Sequence, residues 1–279
     1  MSAREVGWRL LRRAALVTAG AVAARVAYRA LVARPPAGEK TWARTNHRGE
    51  PVTLLEGPAA ALGATAALVA VPGISSRVRV AGVLCGLGSA AVGAYDDLAG
   101  SGDSRGFRGH LGALAHGEVT TGMVKIAGIG VGGLAAAAVV HRRPVDIALG
   151  GLFIAAGANL VNLFDLRPGR ALKVVLLHAP AVLAGSGVAG DVAAAPVGAA
   201  LGLVSVDLDE QAMLGDAGAN ALGALLALAA TAGLSRRARV CLLLGAVGLT
   251  AASEVVSFTR VIERTAPLRA LDDLGRRPR

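Results

Sequence analysis

The sequence has few aromatic residues and only two cysteines. Phenylalanine, tyrosine and tryptophan make up 3% of its 279 residues, so it lacks the aromatic platforms on which single-stranded nucleic acid stacks. The two cysteines, Cys85 and Cys241, both lie in apolar runs, where a thiol usually acts as a small packing residue. We therefore expect no nucleic-acid binding, no disulfide and no cysteine-bound metal.

Charged residues are also scarce, at 17% of the chain, whereas 54% of the residues are hydrophobic. This balance is typical of an integral membrane protein. The formal net charge is +10, but the arginines lie mainly between and beside the apolar runs, where anionic lipid headgroups would meet them. The composition therefore predicts a polytopic membrane protein that contacts membrane lipids.

Nine apolar runs approach the length of about 20 residues that a membrane-crossing helix needs. They predict an all-α polytopic membrane protein with nine transmembrane helices. The first run contains Arg25 and Arg29 and has no convincing small-residue cleavage site, so we interpret it as a retained span rather than a signal peptide. The predicted spans are about residues 10–32, 54–71, 78–95, 122–140, 145–163, 171–186, 190–205, 217–234 and 239–257.

The chain segments that follow the odd-numbered spans must lie on one side of the membrane. They contain nearly all of the unusual polar residues, and Lys and Arg favour this side, so we expect it to be cytoplasmic. The N-terminus is then outside the cell and the C-terminus is cytoplasmic. We expect a transmembrane domain over residues 1–257 and a basic cytoplasmic tail over residues 258–279.

Two acidic motifs on the expected cytoplasmic side are candidates for a functional site. Asp96 and Asp97 end the third span, and two adjacent carboxylates there need either solvent or a hard cation such as Mg²⁺. Asp216 lies in a glycine-rich turn before the eighth span, where backbone and helix N-terminus suit a phosphate group. The simpler alternatives are a solvated pair at the membrane edge and, for Asp216, a helix N-cap.

A third motif, Asn159-x-x-Asn162-x-x-Asp165, ends the fifth span. Side chains three residues apart lie near one another on a helix surface, so this spacing predicts that the three side chains share one face and converge on a single ligand. Amides inside a membrane span are costly and tend to mark sites.

Basic residues near these motifs are candidates for phosphate contacts. Arg167, Arg170 and Lys173 follow Asp165 in the chain, and Lys125 lies near the start of the fourth span. Arginine is suited to bidentate contact with phosphate. The simpler alternatives are an ion pair of Asp165 with Arg167 or Arg170, and a Lys125 side chain that extends to the membrane surface.

The ordered set of motifs resembles the polyprenyl-phosphate N-acetylhexosamine-1-phosphate transferases, the family of bacterial phospho-N-acetylmuramoyl-pentapeptide transferase. The resemblance covers about residues 34–225. Members have ten spans with cytoplasmic active-site loops, use Mg²⁺, and transfer a sugar-1-phosphate from a UDP-sugar to a polyprenyl phosphate in the bacterial plasma membrane. Homodimers are a family expectation. The matching motifs are Asp96-Asp97, Asn159-x-x-Asn162-x-x-Asp165 and Gly215-Asp216-x-Gly218.

The resemblance implies a role for each matched residue. Asp216 and one of the adjacent pair, which we assign as Asp97, would hold Mg²⁺ against the pyrophosphate, and Asp96 would activate the lipid phosphate. The remaining residues would bind the phosphates or the nucleotide: Asn159, Asn162, Asp165, Arg167, Arg170, Lys173 and Lys125.

The sequence departs from this family towards its C-terminus. The histidine-rich motif of the last cytoplasmic loop and the tenth span are missing, and arginines and aspartates occupy the tail instead. His47, His110 and His116 have no metal-ligand spacing. The alternative function is therefore an inactive relative that binds polyprenyl phosphate as a scaffold in envelope assembly. A transporter is disfavoured, because the charges lie at span ends rather than near the membrane midplane.

Overall fold

The structure, a computed structural model, describes residues 2–100, 116–185 and 187–278, and helices dominate these ranges. Two short strands, β1 (Ala43–Thr45) and β2 (Pro51–Thr53), form an antiparallel hairpin. A π-helical turn, Leu84–Gly88, joins the fourth helix to the fifth. The α-helices described are α1 (Ala3–Ala33), α2 (Glu39–Trp42), α3 (Glu56–Ala70), α4 (Ser76–Val83), α5 (Ser89–Ala99), α6 (Thr121–Val140), α7 (Pro144–Phe164), α8 (Arg170–Leu176), α9 (Ala179–Ala184), α10 (Gly187–Leu208), α11 (Gly215–Gly233), α12 (Arg236–Ser253), α13 (Phe258–Arg264) and α14 (Ala266–Asp273).

Five helical stretches are long and apolar enough to cross a membrane. The first is α1, and the second is the continuous run that α4 and α5 form together. The other three are α6, α7 and α10. A sixth is present if α12 and α13, which are bent by 93° at a short break, form one interrupted span. The predominantly helical fold is thus confirmed, together with five or six helices that can cross a bilayer by length and composition.

The other predicted spans also coincide with helices, but these helices are shorter or more polar. α3 has 15 residues, which is fewer than a bilayer requires. The predicted span 171–186 is divided between α8, of 7 residues, and α9, of 6 residues. α11 has 19 residues but contains Asp216 and Asn220 in its first two turns. The total of nine spans therefore stays a prediction.

The helix α11 lies at the centre of the bundle, where it packs against α3, α5, α7 and α10. Small residues make these close approaches possible. A Cβ atom added at Gly223 of α11 would lie only 2.3 Å from the carbonyl oxygen of Gly157 on α7. Close packing of backbones through glycine and alanine is a common way for helices to associate in lipid.

Backbone hydrogen bonds bring several loops together at one end of the bundle. The Met213 N–H, just before α11, donates to the carbonyl oxygen of Thr53 in β2 at 2.9 Å. Arg44 of β1 donates to the carbonyl oxygen of Asp97 near the end of α5 at 2.5 Å. The hairpin therefore covers the end of α5 and the start of α11.

Buried ion pairs hold the opposite end of the bundle together. Arg13 of α1 donates through Nε to Asp191 of α10 at 3.0 Å, and both side chains are buried. Asp146 in the first turn of α7 accepts hydrogen bonds from Arg236 at 2.9 Å and from Arg239 at 2.7 Å, both in α12. Breaking a buried pair leaves an uncompensated charge, so these contacts fix the helix ends.

Substituting Gly198 tests the contact between α1 and α10. An added Cβ would lie 2.2 Å from the carbonyl oxygen of Val17, so Gly198→Ala forces the helices apart at a cost of about 1–3 kcal/mol. We expect a lower unfolding temperature of the detergent-purified protein. Gly245→Ala is the matched control, because its Cβ meets nothing within 4 Å. An equal loss of stability in both variants would contradict this packing.

Candidate functional site

An acidic cleft of about 360 Å³ opens at the end of the bundle that the hairpin covers. The hairpin, the ends of α5 and α7 and the start of α11 form its walls. We call this cavity the acidic cleft because three of its lining residues are aspartates. The lining residues are Arg44, Thr45, Leu54, Asp97, Asn162, Asp165, Leu166, Met213, Gly215 and Asp216.

The Asp97 carboxylate caps the N-terminus of α11. Its Oδ1 accepts a hydrogen bond from the Asp216 N–H at 3.0 Å, and its Oδ2 accepts one from the Ala217 N–H at 2.9 Å. The first N–H groups of a helix have no partner within the helix, and a carboxylate there also opposes the positive end of the helix dipole. Asp97, and not Asp216, is therefore the cap of this helix.

Gly215 makes this cap possible. Its φ of 62° is a left-handed conformation that glycine adopts without strain. A Cβ at this position would also lie 3.0 Å from the Asp97 Oδ2 atom. The glycine thus allows the backbone to turn into α11 directly against the carboxylate.

Lys125 of α6 joins two of the predicted carboxylates. Its Nζ donates to Asp96 Oδ2 at 2.6 Å and forms a second ion pair with Asp216 Oδ2. The three side chains are between 15% and 21% exposed, so the lysine does not extend into solvent. The ammonium group instead reduces the repulsion between two partly buried carboxylates.

Asp165 and Asn162 meet these groups from the end of α7. Asp165 follows the last residue of α7 and lines the cleft. Burial raises the pKa of Asp165 well above its ordinary value, and the carboxylates of Asp207, Asp216 and Asp97 raise it further. Among the described residues, the side-chain amide of Asn162 has no hydrogen-bond partner, so it is available to a ligand. The cleft therefore attracts cations.

The structure does not bring Asn159 to the cleft. Its amide Nδ2 donates to Thr250 Oγ1 of α12 at 3.1 Å. Three residues along a helix fall about 60° short of a full turn. Asn159 and Asp165 are two such steps apart, so their side chains point in directions that differ by about 120°. The predicted convergence thus holds for Asn162 and Asp165 and fails for Asn159, whose amide joins α7 to α12.

Arg170 and Lys173 also point away from the cleft, towards the C-terminal tail. Arg170 donates to both carboxylate oxygens of Asp272, at 2.7 and 2.9 Å, and to Thr259 Oγ1 at 3.0 Å. Lys173 Nζ donates to the backbone carbonyl of Asp272 at 2.5 Å. Arg170 is buried by these contacts, so it holds the tail rather than a substrate phosphate. The simpler alternative, in which Arg170 pairs with Asp165, does not apply, because Arg170 pairs with Asp272.

The described part of the tail, residues 258–278, is folded against the rest of the chain. Phe258 stacks on Phe164 with ring centroids 5.4 Å apart. Burial favours the neutral acid of Asp272, but hydrogen bonds and charge from Arg170 outweigh this and hold the pKa of Asp272 below its ordinary value. The segment predicted as a cytoplasmic tail is therefore attached by a buried ion pair.

Arg44 is a cleft residue that the sequence alone did not identify. Its guanidinium donates to the backbone carbonyl of Asp97 and lines the cleft. The turn residues Asn46 and Gly49 in this segment are a signal for a hairpin, but they give no indication of what the hairpin contacts. His110 lies outside the described residues.

The acidic residues of the cleft fit a Mg²⁺ ion only if a bound substrate supplies further ligands. Across residues 2–100, 116–185 and 187–278, no group of three or more His, Cys, Asp or Glu side chains is arranged to hold a metal. Mg²⁺, however, is often bound by one or two carboxylates together with substrate phosphates and water. Asp97 and Asp216 provide such a pair, since Lys125 contacts only one oxygen of Asp216.

Removing the cap of α11 should destabilise the protein. Asp97→Ala leaves two N–H groups without their partner, and we expect a loss of about 1–2 kcal/mol in the free energy of unfolding. Thermal unfolding in detergent measures this effect. The control is Asp209→Ala, in the exposed loop before α11. It removes the same charge but leaves the cap of α11 intact. Equal stability of wild type and Asp97→Ala would refute the capping role.

Attachment of the tail should depend on the ionised Asp272. Asp272→Asn should expose the arginine-rich tail to trypsin, whereas Asp273→Asn should not, because that side chain is 47% exposed and 4.0 Å from Arg276. Since the pKa of Asp272 is lowered in the folded protein, its contribution is complete above about pH 4 and is lost as the pH falls through the lower folded value. Protection that survives Asp272→Asn would contradict this assignment.

The sequence matches no protein-family model and no curated protein. The function must therefore be inferred from the chemistry of the cleft and its place in the helical bundle. Two features carry that inference: carboxylates from two helices, α5 and α11, meet a partly buried lysine from a third helix, α6, and this cluster lies at the end of helices that can cross a membrane.

Proposed function

We propose that the protein is a Mg²⁺-dependent transferase that moves a sugar-1-phosphate from a UDP-sugar to a polyprenyl phosphate. The supporting observation is the cluster of Asp96, Asp97, Lys125 and Asp216 at the N-terminus of α11. At the end of helices that can cross a membrane, this cluster would be within reach of both a lipid phosphate and a nucleotide in water. The products would serve cell-envelope polysaccharide or peptidoglycan assembly.

The proposed reaction joins two highly charged reactants. An oxygen of the lipid phosphate attacks the phosphorus that carries the sugar, and the bond from that phosphorus to the bridging oxygen of the diphosphate breaks. UMP leaves with the electron pair of this bond. The site must therefore neutralise negative charge and align the attacking and leaving oxygens.

The residues of the cleft, together with Asp96 and Lys125 beside it, would divide this work among them. Asp97 and Asp216 would hold Mg²⁺, which, when bound, neutralises charge on the diphosphate. Lys125 keeps Asp96 and Asp216 close despite their like charge, and Asp96 is the carboxylate that we assign to the acceptor phosphate. Asn162 offers an uncommitted amide to the donor.

The proposed membrane arrangement follows the sequence prediction: nine spans, an external N-terminus, a cytoplasmic C-terminus and a place in the bacterial plasma membrane. Arg12, Arg13 and Arg236 lie on the side that we predict to be external, so they count against an orientation in which positive charge is in excess on the cytoplasmic side. In the structure they pair with Asp191 and Asp146, so the charge that they present at their end of the bundle is reduced. A homodimer has the support of the family resemblance alone.

One observation favours a second candidate function, an inactive relative that binds polyprenyl phosphate as a scaffold. Lys125 pairs with both Asp96 and Asp216, and the described residues contain no complete group of metal ligands. A lysine held between two carboxylates neutralises negative charge that a bound metal ion would otherwise neutralise. Lipid binding without transfer would be the signature of this alternative.

The deciding experiment is release of UMP by the full-length protein, purified in detergent with Mg²⁺, polyprenyl phosphate and a panel of UDP-sugars. We expect release from one donor and its loss in EDTA. Asp216→Asn should reduce the rate by about a hundredfold or more, as expected when a group that stabilises transition-state charge is removed. Asp209→Asn, in the exposed loop before α11, is the matched control and should retain the rate.

The outcomes separate the two functions. Thermal unfolding of both variants shows whether they remain folded. No UMP from any donor, in protein that still binds polyprenyl phosphate, would reject the transferase and support the scaffold. Release that is unchanged in Asp216→Asn would reject the assignment of the cleft as the site of transfer.

A further inference from the structure

A second, larger cavity of about 550 Å³ lies between the tail, the hairpin loop and the segment that follows α7. We call it the tail cavity. Its lining contains four arginines against two acidic residues, so its surface is positively charged, in contrast to the acidic cleft. The lining residues are His47, Arg48, Arg167, Glu263, Asp273, Arg276, Arg277 and Pro278.

Carboxylates behind the lining hold the arginines in place. Arg48 Nε donates to Glu210 at 3.0 Å, and the Glu210 side chain is only 1% exposed. Arg276 donates to the buried Asp272 at 2.8 Å. A guanidinium group has five N–H donors, so each of these arginines keeps donors for a ligand while one side of the group is fixed. The positive groups are thus positioned before any ligand arrives.

Arg167 has no ion pair or side-chain hydrogen bond with the residues that the structure describes. It is half-buried and shares the cavity with three other arginines. Partial burial lowers the pKa of His47; the Glu210 carboxylate opposes this, and Arg167, Arg48 and Arg276 lower it further. Among the described residues, Arg48, Arg276 and Arg277 are paired with Glu210, Asp272 and Glu50, so Arg167 is the arginine that adds unpaired positive charge to the cavity.

A third cavity, of about 150 Å³, lies between the tail cavity and the acidic cleft. It shares His47 and Arg167 with the tail cavity and Asp165 and Met213 with the cleft. The two sites are therefore close neighbours. A metal-bound group suits the acidic end, and an uncoordinated anion suits the basic end.

We propose that the tail cavity is a binding site for a phosphate group, and that it binds this group without a metal ion. The planar guanidinium fork matches the oxygens of phosphate, and such charge-assisted hydrogen bonds are stronger than neutral ones. The phosphate can belong to a soluble molecule or to a lipid headgroup, because both present the same chemistry. The site does not depend on whether the acidic cleft catalyses transfer.

The test is calorimetric titration of the full-length protein with inorganic pyrophosphate in the presence of EDTA, in nanodiscs of neutral lipid. Without divalent cations the acidic cleft repels pyrophosphate, so binding reports on the tail cavity. Arg167→Gln should weaken binding about tenfold, and the charge reversal Arg167→Glu should abolish it. Neither variant removes a contact that holds the described fold together, and thermal unfolding verifies this.

The control is Arg269→Gln, which removes the same charge from an exposed position of α14 outside the cavity. It should leave the affinity unchanged. Absence of pyrophosphate binding to the wild type, or an equal loss in Arg167→Gln and Arg269→Gln, would overturn the proposal.

Nanodiscs with phosphatidylglycerol identify the source of the phosphate group. If a lipid headgroup occupies the cavity, the apparent affinity of the wild type for pyrophosphate falls in these discs, while that of Arg167→Gln changes little. If the ligand is soluble, wild type binds pyrophosphate about ten times more tightly than Arg167→Gln in both kinds of nanodisc. Either result supports the phosphate site, and neither result depends on whether the protein releases UMP.

Discussion

The hydrogen bonds from the start of α11 to Asp97 determine the shape of the candidate site. They join two groups that are 119 residues apart in the chain, and they leave the N-terminus of the central helix facing the cleft. Asp216 lies in that first turn, so its distance from Lys125 depends on the same cap. A carboxylate at this position satisfies the helix end and also contributes to the electric field of the cleft.

Opposite electrostatic potentials lie side by side at this end of the bundle. The acidic cleft is lined by the carboxyl groups of Asp97, Asp165 and Asp216. Beyond the cleft, the arginines of the tail cavity have the opposite charge. Such fields act over only about 8 Å in physiological salt at an exposed surface, but they are screened less in partly buried sites. If both proposed sites bind their ligands, this arrangement would separate metal-bound anions from free ones.

The sequence predicted most of the helical fold, because apolar runs of suitable length leave few alternatives. The approach of Asp97 and Asp216 was also predictable from the order of the motifs. The partners of individual polar side chains were not. Periodicity along α7 gave no indication that Asn159 faces Thr250, and nothing near Arg170 in the chain indicated Asp272, which lies 102 residues away. Such contacts depend on how separate helices pack, which the pattern of one helix does not specify.

Contacts between the hairpin loop and the C-terminal tail depend on the order in which the chain is synthesised. Arg48 donates to backbone carbonyls of Arg277 and Pro278, and the separation along the chain is 229 and 230 residues. The helices that build the acidic cleft are all synthesised before these residues exist. A nascent chain that stops after α12 already contains every residue that lines the cleft, whereas the tail cavity also needs residues 263–278.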